Sequence, residues 1–341
     1  MPPLSASRPS LISVALCTHN GARYLGEQLR SICAQSLAPG EIVLSDDAST
    51  DGTVSLARDI LRECLASRPG LRIELVVLQN QPALRVTKNF EQAVRACGGD
   101  LIALSDQDDI WQPDRLRIME EQFAQRPELT LLHTDARLVD GQAHPLGQSL
   151  FQALEVKPVE LEWIHGGLAL HAFLRRNLVT GATTMFRKSL LDVALPFPRE
   201  WLHDEWLGAI ASVTGRVDVL EQALIDYRQH GANEVGARRP TLAQNVRRAF
   251  ASRGTKQQER ASRAERLLER LTALGASSEV LDRVRTKVSH QQFRAALPAS
   301  RLARVLPVAA EILSGRYHGY DRGLQAVAAD LFESALKDSE E

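Results

Sequence analysis

The chain has 341 residues, of which 44% are apolar and 24% charged, and a net charge of −1. That is more than one small domain needs, so one large domain with an appendage, or two domains, is expected. The near-neutral balance gives no drive toward nucleic acid, and no apolar run approaches the ~18 residues of a membrane-spanning helix.

The N-terminus, MPPLSASRPS, lacks the basic-then-apolar pattern of a secretory leader, and residues 1–9 read as a flexible stretch. From there strand and helix signals alternate. Residues 11–17 (LISVALC) form an apolar, β-rich run. Residues 22–35 have helical periodicity, with Leu25, Leu29, Ile32 and Cys33 on one face. Strand signals return at 41–47 (EIVLSDD), 71–80 and 100–106 (DLIALSD). Between them lie a helix capped by Ser49 or Asp51 and a helix over 86–98, stopped by Gly98-Gly99. This βαβαβαβ order predicts an α/β fold, a mostly parallel sheet with helices on both faces.

The second half is less regular. Residues 129–140 read as a strand, 163–177 as helix or loop, and 180–194 as strand then helix. A helix follows over 203–215, then one or two strands over 217–231 ending in a glycine loop. From Pro240 on, the composition shifts to helix formers rich in Arg and Ala. The expected organisation is a first domain over 10–238 and an α-helical region over 239–341. Between Arg238 and Arg304 stand 16 Lys/Arg against 5 Asp/Glu. Leu267, Leu268, Leu271 and Leu274 recur there at helical spacing. Such helices either pack with a solvated basic face or offer a basic surface to anionic lipid headgroups. Nucleic acid fits poorly, because no aromatics interleave with the basic residues. Cys17, Cys33, Cys64 and Cys97 have no metal-ligand spacing and read as free thiols of a reducing cytosol. The expected location is the cytoplasm, free or peripheral at the inner face of the membrane.

Parallel sheets bind ligands at the carboxyl ends of their strands, and three polar clusters fall there. They are CTHNG (17–21), SDDASTDG (45–52) and SDQDD (105–109). Any one of them could be a capped turn. Three on one sheet edge suit a nucleotide. Asp46 or Asp47 can accept from a base N–H or ribose hydroxyls, and Thr18 and Asn20 lie near a helix start that favours anions. The SDQDD carboxylates are hard oxygen ligands for Mg²⁺ or Mn²⁺, which would bridge a diphosphate.

The stretches ISVALCTHNGARYLGEQLRSICAQS, IVLSDDASTDGT, LIALSDQDDIWQPDRL, LVTGATTMFRK, HDEWL and YRQHGANEVG occur in this order. The chain resembles the family 2 glycosyltransferases over roughly residues 10 to 236, and their bacterial rhamnosyltransferase-like branch in particular. The resemblance implies a GT-A fold, a Rossmann-like nucleotide-sugar-binding domain, and transfer with inversion at the anomeric carbon. By position, Thr18, Asn20, Asp46 and Asp47 would hold the nucleoside. Asp106 would meet ribose or metal, and Asp108 would ligate the metal. Asp109 stands beside them either as a further ligand or as a turn partner. Asp204 would be the catalytic base, and Glu205, where the branch carries an aromatic, fits a helix N-terminal acid. Arg228 would pair with phosphate oxygens and His230 would ligate the metal. Gly181, with Thr180, would floor the sugar site. Further departures are Cys17, His19 and Ala48, the last where glycine is common. The implied partners are a dTDP-, UDP- or GDP-sugar and a lipid-linked glycan of surface polysaccharide assembly. Transfer to a polyprenyl phosphate, and a non-catalytic nucleotide-binding scaffold, are the alternative readings.

Overall fold

The computed structural model describes residues 11–230 and 256–333. The expected flexible stretch at 1–9, the end of YRQHGANEVG and residues 239–255 lie outside them.

Strands β1 (Ile12–Thr18), β2 (Glu41–Asp46), β3 (Glu74–Gln79) and β4 (Leu101–Ser105) alternate with helices α1 (Ala22–Cys33), α2 (Thr53–Ser67) and α3 (Val86–Ala96). After β5 (Ile110–Trp111) come α4 (Arg115–Gln125), β6 (Leu129–Val139), β7 (Pro145–Ser149), α5 (Leu150–Ala153), α6 (Pro158–His165) and α7 (Ala169–Arg175). A 3-10 turn (Gly181–Thr183) leads to β8 (Met185–Arg187), α8 (Leu191–Ala194), α9 (His203–Thr214) and β9 (Arg216–Arg228). Helices α10 (Lys256–Ala273), α11 (Ser278–Ala295), α12 (Arg301–Leu313), α13 (Arg316–Tyr320) and α14 (Leu324–Phe332) complete the described chain. Among the described residues no helix is long and apolar enough to cross a membrane.

The described strands form one sheet in the order β3-β2-β1-β4-β8-β6-β9-β5, with β7 on β6. The block β3-β2-β1-β4 is parallel. Every residue of β1 and β4 is buried, as expected of strands covered on both faces. Helix α1 buries Leu25, Leu29, Ile32 and Cys33, the face its periodicity predicts, and also Gln28.

The second half departs from the sequence reading in detail. Residues 163–177 supply the end of α6 and all of α7. The segment from 180 opens with a 3-10 turn, because the Thr180 carbonyl accepts from the Thr183 N–H and from the hydroxyls of Thr183 and Thr184. Residues 216–228 form a single strand. Two short strands, β5 and β7, had no periodic signal; β5 exists because Ile110 and Trp111 pair antiparallel with Asp226 and Ile225.

The chain divides into two compact units. Among the described residues, one comprises 11–167 with 179–230, and the other 168–178 with 256–333. The stretch 168–178, placed in the first region by sequence, thus groups with the C-terminal helices. Its helix α7 buries Ala169, Leu170, Ala172 and Leu174 and packs against α13.

On β6, His133 is fully buried edge-on to the Phe151 ring, and neither ring nitrogen has a hydrogen-bond partner. Burial lowers its pKa from 6.5 to about 4, with Asp218 opposing. The ring is therefore neutral in the fold, while the unfolded chain takes up a proton below pH 6.5. Stability must fall as the pH drops from 6.5 toward about 4. Denaturant unfolding across this window should show a shallower slope in His133→Leu than in the wild type; equal slopes would contradict a buried neutral imidazole.

Candidate active site

The parallel block sets Thr18 opposite Asp46 and Leu16 opposite Ser105, so the loops after β1, β2 and β4 emerge on one edge. Hydrogen bonds lace them together. The Thr18 hydroxyl donates to Asp46 Oδ1 at 2.7 Å. Ser49 donates its hydroxyl to Asp46 Oδ1 at 2.6 Å and its backbone N–H to Oδ2 at 3.0 Å. Asn20 accepts from the Thr50 N–H at 2.9 Å. Asp51 receives the N–H groups of Ala22 and Thr53. Gln107 accepts from the His19 N–H at 2.8 Å and donates to the His19 carbonyl at 3.1 Å. This last pair needs Gly21, since a Cβ there would lie 2.1 Å from Gln107 Oε1. Ala48 takes φ 63°, a left-handed backbone that explains why glycine suits this position.

Two nucleoside candidates are thus also braces. Asp46 is buried, and both of its oxygens accept from the first two loops. Asp47 accepts the N–H groups of Leu84 and Arg85, at 2.6 and 2.8 Å, and an Asn80 amide hydrogen at 3.2 Å. It fixes the loop that starts α3. Thr18 is buried with its hydroxyl committed to Asp46, whereas His19 and Asn20 are exposed at the mouth of the edge.

Asp106, Asp108 and Asp109 follow β4 directly. Asp108 Oδ2 lies 2.7 Å from His230 Nε2, joining the SDQDD and YRQHG motifs across 122 residues. The His230 ring stacks on Tyr24, centroids 4.7 Å apart at 20°. Asp109 is 1% exposed, and its Oδ1 accepts the Arg228 N–H at 3.0 Å. Burial, then the charges of Asp108 and Asp106, raises its pKa well above the usual carboxylate range. Asp109 is therefore a turn brace.

Arg228 is engaged by the protein itself. Its side chain is buried, with Nε donating to the Asp108 carbonyl at 2.7 Å and Nη1 to the Gly141 carbonyl at 3.0 Å. Nη2 donates to Glu27. The guanidinium also sits 4.8 Å from the Tyr24 ring centroid. Its donors hold the Asp106–Asp109 turn, Tyr24 and the loop at Gly141 together, so Arg228 serves as a brace in the ligand-free protein.

Asp204 stands at the start of α9, 9% exposed. Its Oδ2 accepts the Gly181 N–H at 2.8 Å and its Oδ1 the Glu205 N–H at 2.7 Å. The structure thus brings together the predicted base and the predicted floor residue. Gly181 must be glycine: a Cβ would lie 2.8 Å from His203 Nε2 and 3.5 Å from the Asp204 Cβ. Next to Asp204, His203 is buried face-on to Phe90 at 3.7 Å, and burial lowers its pKa.

Two functional positions escaped the sequence reading. Arg115 is fully buried, lies over the Trp111 ring at 3.9 Å and donates to the Ala182 carbonyl at 2.8 Å, fixing the turn that carries Gly181. Burial lowers its pKa to about 9, opposed by Asp109. Its signal was an arginine at helical spacing with Met119 and Phe123 on the buried face of α4. Tyr227 is the other. Burial raises its pKa, and the charges of Asp109, Asp106, Asp108 and Asp204 raise it further. The Leu104 N–H of β4 also donates to the Thr184 carbonyl at 3.0 Å, which ties the strand ahead of Asp106 to the turn that carries Gly181.

Among the described residues no group of three or more His, Cys, Asp and Glu side chains encloses a metal position. Asp108 and His230, hydrogen-bonded to each other, and Asp106, two residues before Asp108, are the side chains that would be offered to a metal ion. That fits a cation such as Mg²⁺ or Mn²⁺ that takes its other ligands from phosphate and water.

The chain belongs to glycosyltransferase family 2; the family model, described as glycosyl transferase family 2, matches residues 13–192. An uncharacterized glycosyltransferase of Nostoc sp. is 27% identical over 228 residues, 65% of this chain and 66% of that protein. The O-antigen biosynthesis protein RfbC of Myxococcus xanthus is 34% identical over 139 residues, 40% of this chain and 10% of that protein. The chain thus spans just under two thirds of the Nostoc relative, and 59% of an uncharacterized Mycobacterium tuberculosis protein that is 26% identical to it. Among solved structures, S. aureus TarS 1–349 in complex with UDP superposes with a TM-score of 0.54 at 18% identity, covering 83% of this chain and 72% of that 1–349 chain. That likeness agrees with the GT-A fold.

The bracing role of Arg228 is separable from ligand binding. Arg228→Gln should lower the stability of the ligand-free protein by about 1.5–3 kcal/mol, the scale of losing charged hydrogen bonds to partly buried acceptors. Denaturant unfolding without nucleotide measures this. A residue that served only phosphate would leave that stability unchanged.

Proposed function

We propose that this protein transfers a sugar from a nucleotide-sugar donor to a hydroxyl of a lipid-linked oligosaccharide, with inversion at the anomeric carbon. The donor is a dTDP-, UDP- or GDP-sugar, with rhamnose the candidate that the branch resemblance suggests. The setting is surface polysaccharide assembly at the cytoplasmic face of the membrane, a reading supported by the likeness to an O-antigen biosynthesis protein. The observation that supports it is that β4, which runs into the Asp106–Asp109 turn, is hydrogen-bonded from the Leu104 N–H to the carbonyl of Thr184, three residues after the Gly181 N–H that holds Asp204, with His230 hydrogen-bonded to Asp108.

On this reading the laced loops at Thr18, Asn20, Asp46 and Asp47 cradle the nucleoside. Asp108 and His230, with Asp106, would hold Mg²⁺ or Mn²⁺. When bound, the cation neutralises charge that develops on the leaving diphosphate. Asp204 takes the proton from the acceptor hydroxyl as its oxygen attacks the anomeric carbon from the face opposite the leaving group. Its carboxylate is held by the Gly181 N–H, so the proton acceptor is oriented before substrate arrives.

Two substitutions test the roles separately. Asp204→Asn keeps the shape and removes the base, and should cost roughly 10²–10⁴-fold in kcat with donor affinity retained. Undiminished turnover would move the acceptor to a group that is already an anion, such as a polyprenyl phosphate. Asp108→Ala should abolish the Mn²⁺-dependent thermal shift produced by the preferred nucleotide sugar. An intact shift would remove Asp108 from the metal site.

A further inference from the structure

Two of the four cysteines meet. Cys33 ends α1 and is 2% exposed, and Cys64 lies in the last turn of α2, partly exposed. Helices α1 and α2 pack on each other. Ties on both sides hold the two cysteines together. Arg30, one turn before Cys33, pairs with Glu63 at 3.1 Å. Arg68, just past the end of α2, donates to the Cys33 carbonyl. Between these ties the Cys33 thiol donates to the Cys64 sulfur. Cys64 also packs against the core cluster that contains Cys33, Leu29, Ile60 and Leu61. The other two cysteines are placed differently. Cys97 is buried, with its thiol on the Ala93 carbonyl at 3.3 Å, and Cys17 is buried in β1.

We propose that Cys33 and Cys64 are a redox-active pair that closes into a disulfide and staples α1 to α2. Sulfurs in hydrogen-bond contact need to approach by no more than ~2 Å to reach bonding distance. The oxidant is a small-molecule disulfide. Cys64, the member that solvent reaches, attacks it as the thiolate and expels one small thiolate. Cys33 then releases its proton to solvent and attacks the Cys64 sulfur of the mixed disulfide, expelling the second. The two cysteines lose two protons and two electrons, and the oxidant leaves as two thiols. Burial and the hydrogen bond to Cys64 push the Cys33 thiol up to about 12, so Cys33 is the resolving thiol and not the attacking one.

The staple would lie away from the nucleotide edge. At that edge the two helices are already tied, by the Gly21 N–H on the Thr53 hydroxyl at 2.9 Å and the Ala22 N–H on Asp51 at 3.0 Å. A Cys33–Cys64 bond ties their opposite ends and closes a loop of about 30 residues in the unfolded chain, which raises stability. The pair takes no part in the transfer chemistry, so the two proposals can fail separately.

The test is incubation of the full chain with oxidised glutathione, then thiol titration in denaturant, peptide mapping and thermal melting. Reduced protein should titrate four thiols and treated protein two fewer, with Cys33 and Cys64 in one linked peptide. The melting midpoint should rise by roughly 5 °C and return on adding dithiothreitol. Cys33→Ser should stop at glutathione held on Cys64, and Cys64→Ser should form neither link nor adduct at Cys33. Four thiols remaining in treated wild type, a link between another pair, or a lasting glutathione adduct on wild-type Cys64 would overturn the pair. A Cys33–Cys64 link that leaves the midpoint unchanged or lower would overturn the staple.

Discussion

Asp106, Asp108 and Asp109 occupy one turn at the end of β4, and their mutual repulsion is the constraint around which the first unit is built. The protein relieves it in three ways. Asp109 is buried beside Arg115 and held toward its neutral form. Asp108 meets the imidazole of His230. Arg228 clamps the backbone of the turn through the Asp108 carbonyl and its own N–H to Asp109. What remains, Asp106 and Asp108 beside an imidazole, suits a cation that brings phosphate oxygens with it.

Rigidity at this edge comes from the same residue types that make it polar. Carboxylates at Asp46, Asp47 and Asp51 satisfy backbone N–H groups of neighbouring loops, so the loops need no further secondary structure to stay in place. A site built this way is organised before its ligand arrives, which lowers the ordering cost of binding. Arg115 extends the logic to the other side. It holds the turn whose Gly181 N–H orients Asp204, linking the α4 core to the proposed base through two hydrogen bonds.

The parallel block was legible because its signals are local. Apolar runs at 12–18, 41–46 and 101–105 are strands that both faces bury, and polar residues after them must lie at the carboxyl edge. The pairing of Gly181 with Asp204 was legible only as two separate motifs. The bracing contacts of Asp47 and Arg228 were not legible for a physical reason: which backbone groups a charged side chain meets depends on segments that arrive from elsewhere in the chain. Strand β5 was missed because two residues have no period. The second unit shows the same limit. Leucines at helical spacing occur in both α10 and α12, but only tertiary packing decides that Leu271 is buried and Leu306 is not.

The central claim is that the β4 edge binds a divalent cation together with a nucleoside diphosphate. Electron paramagnetic resonance of Mn²⁺ titrated into the protein tests it most directly, with and without UDP, GDP or dTDP. The account predicts that one of these nucleotides, with the protein, removes free Mn²⁺ beyond what the nucleotide alone removes. The excess should disappear when Asp108 is replaced by alanine. Loss of free Mn²⁺ no greater than with nucleotide alone, for all three, would contradict it.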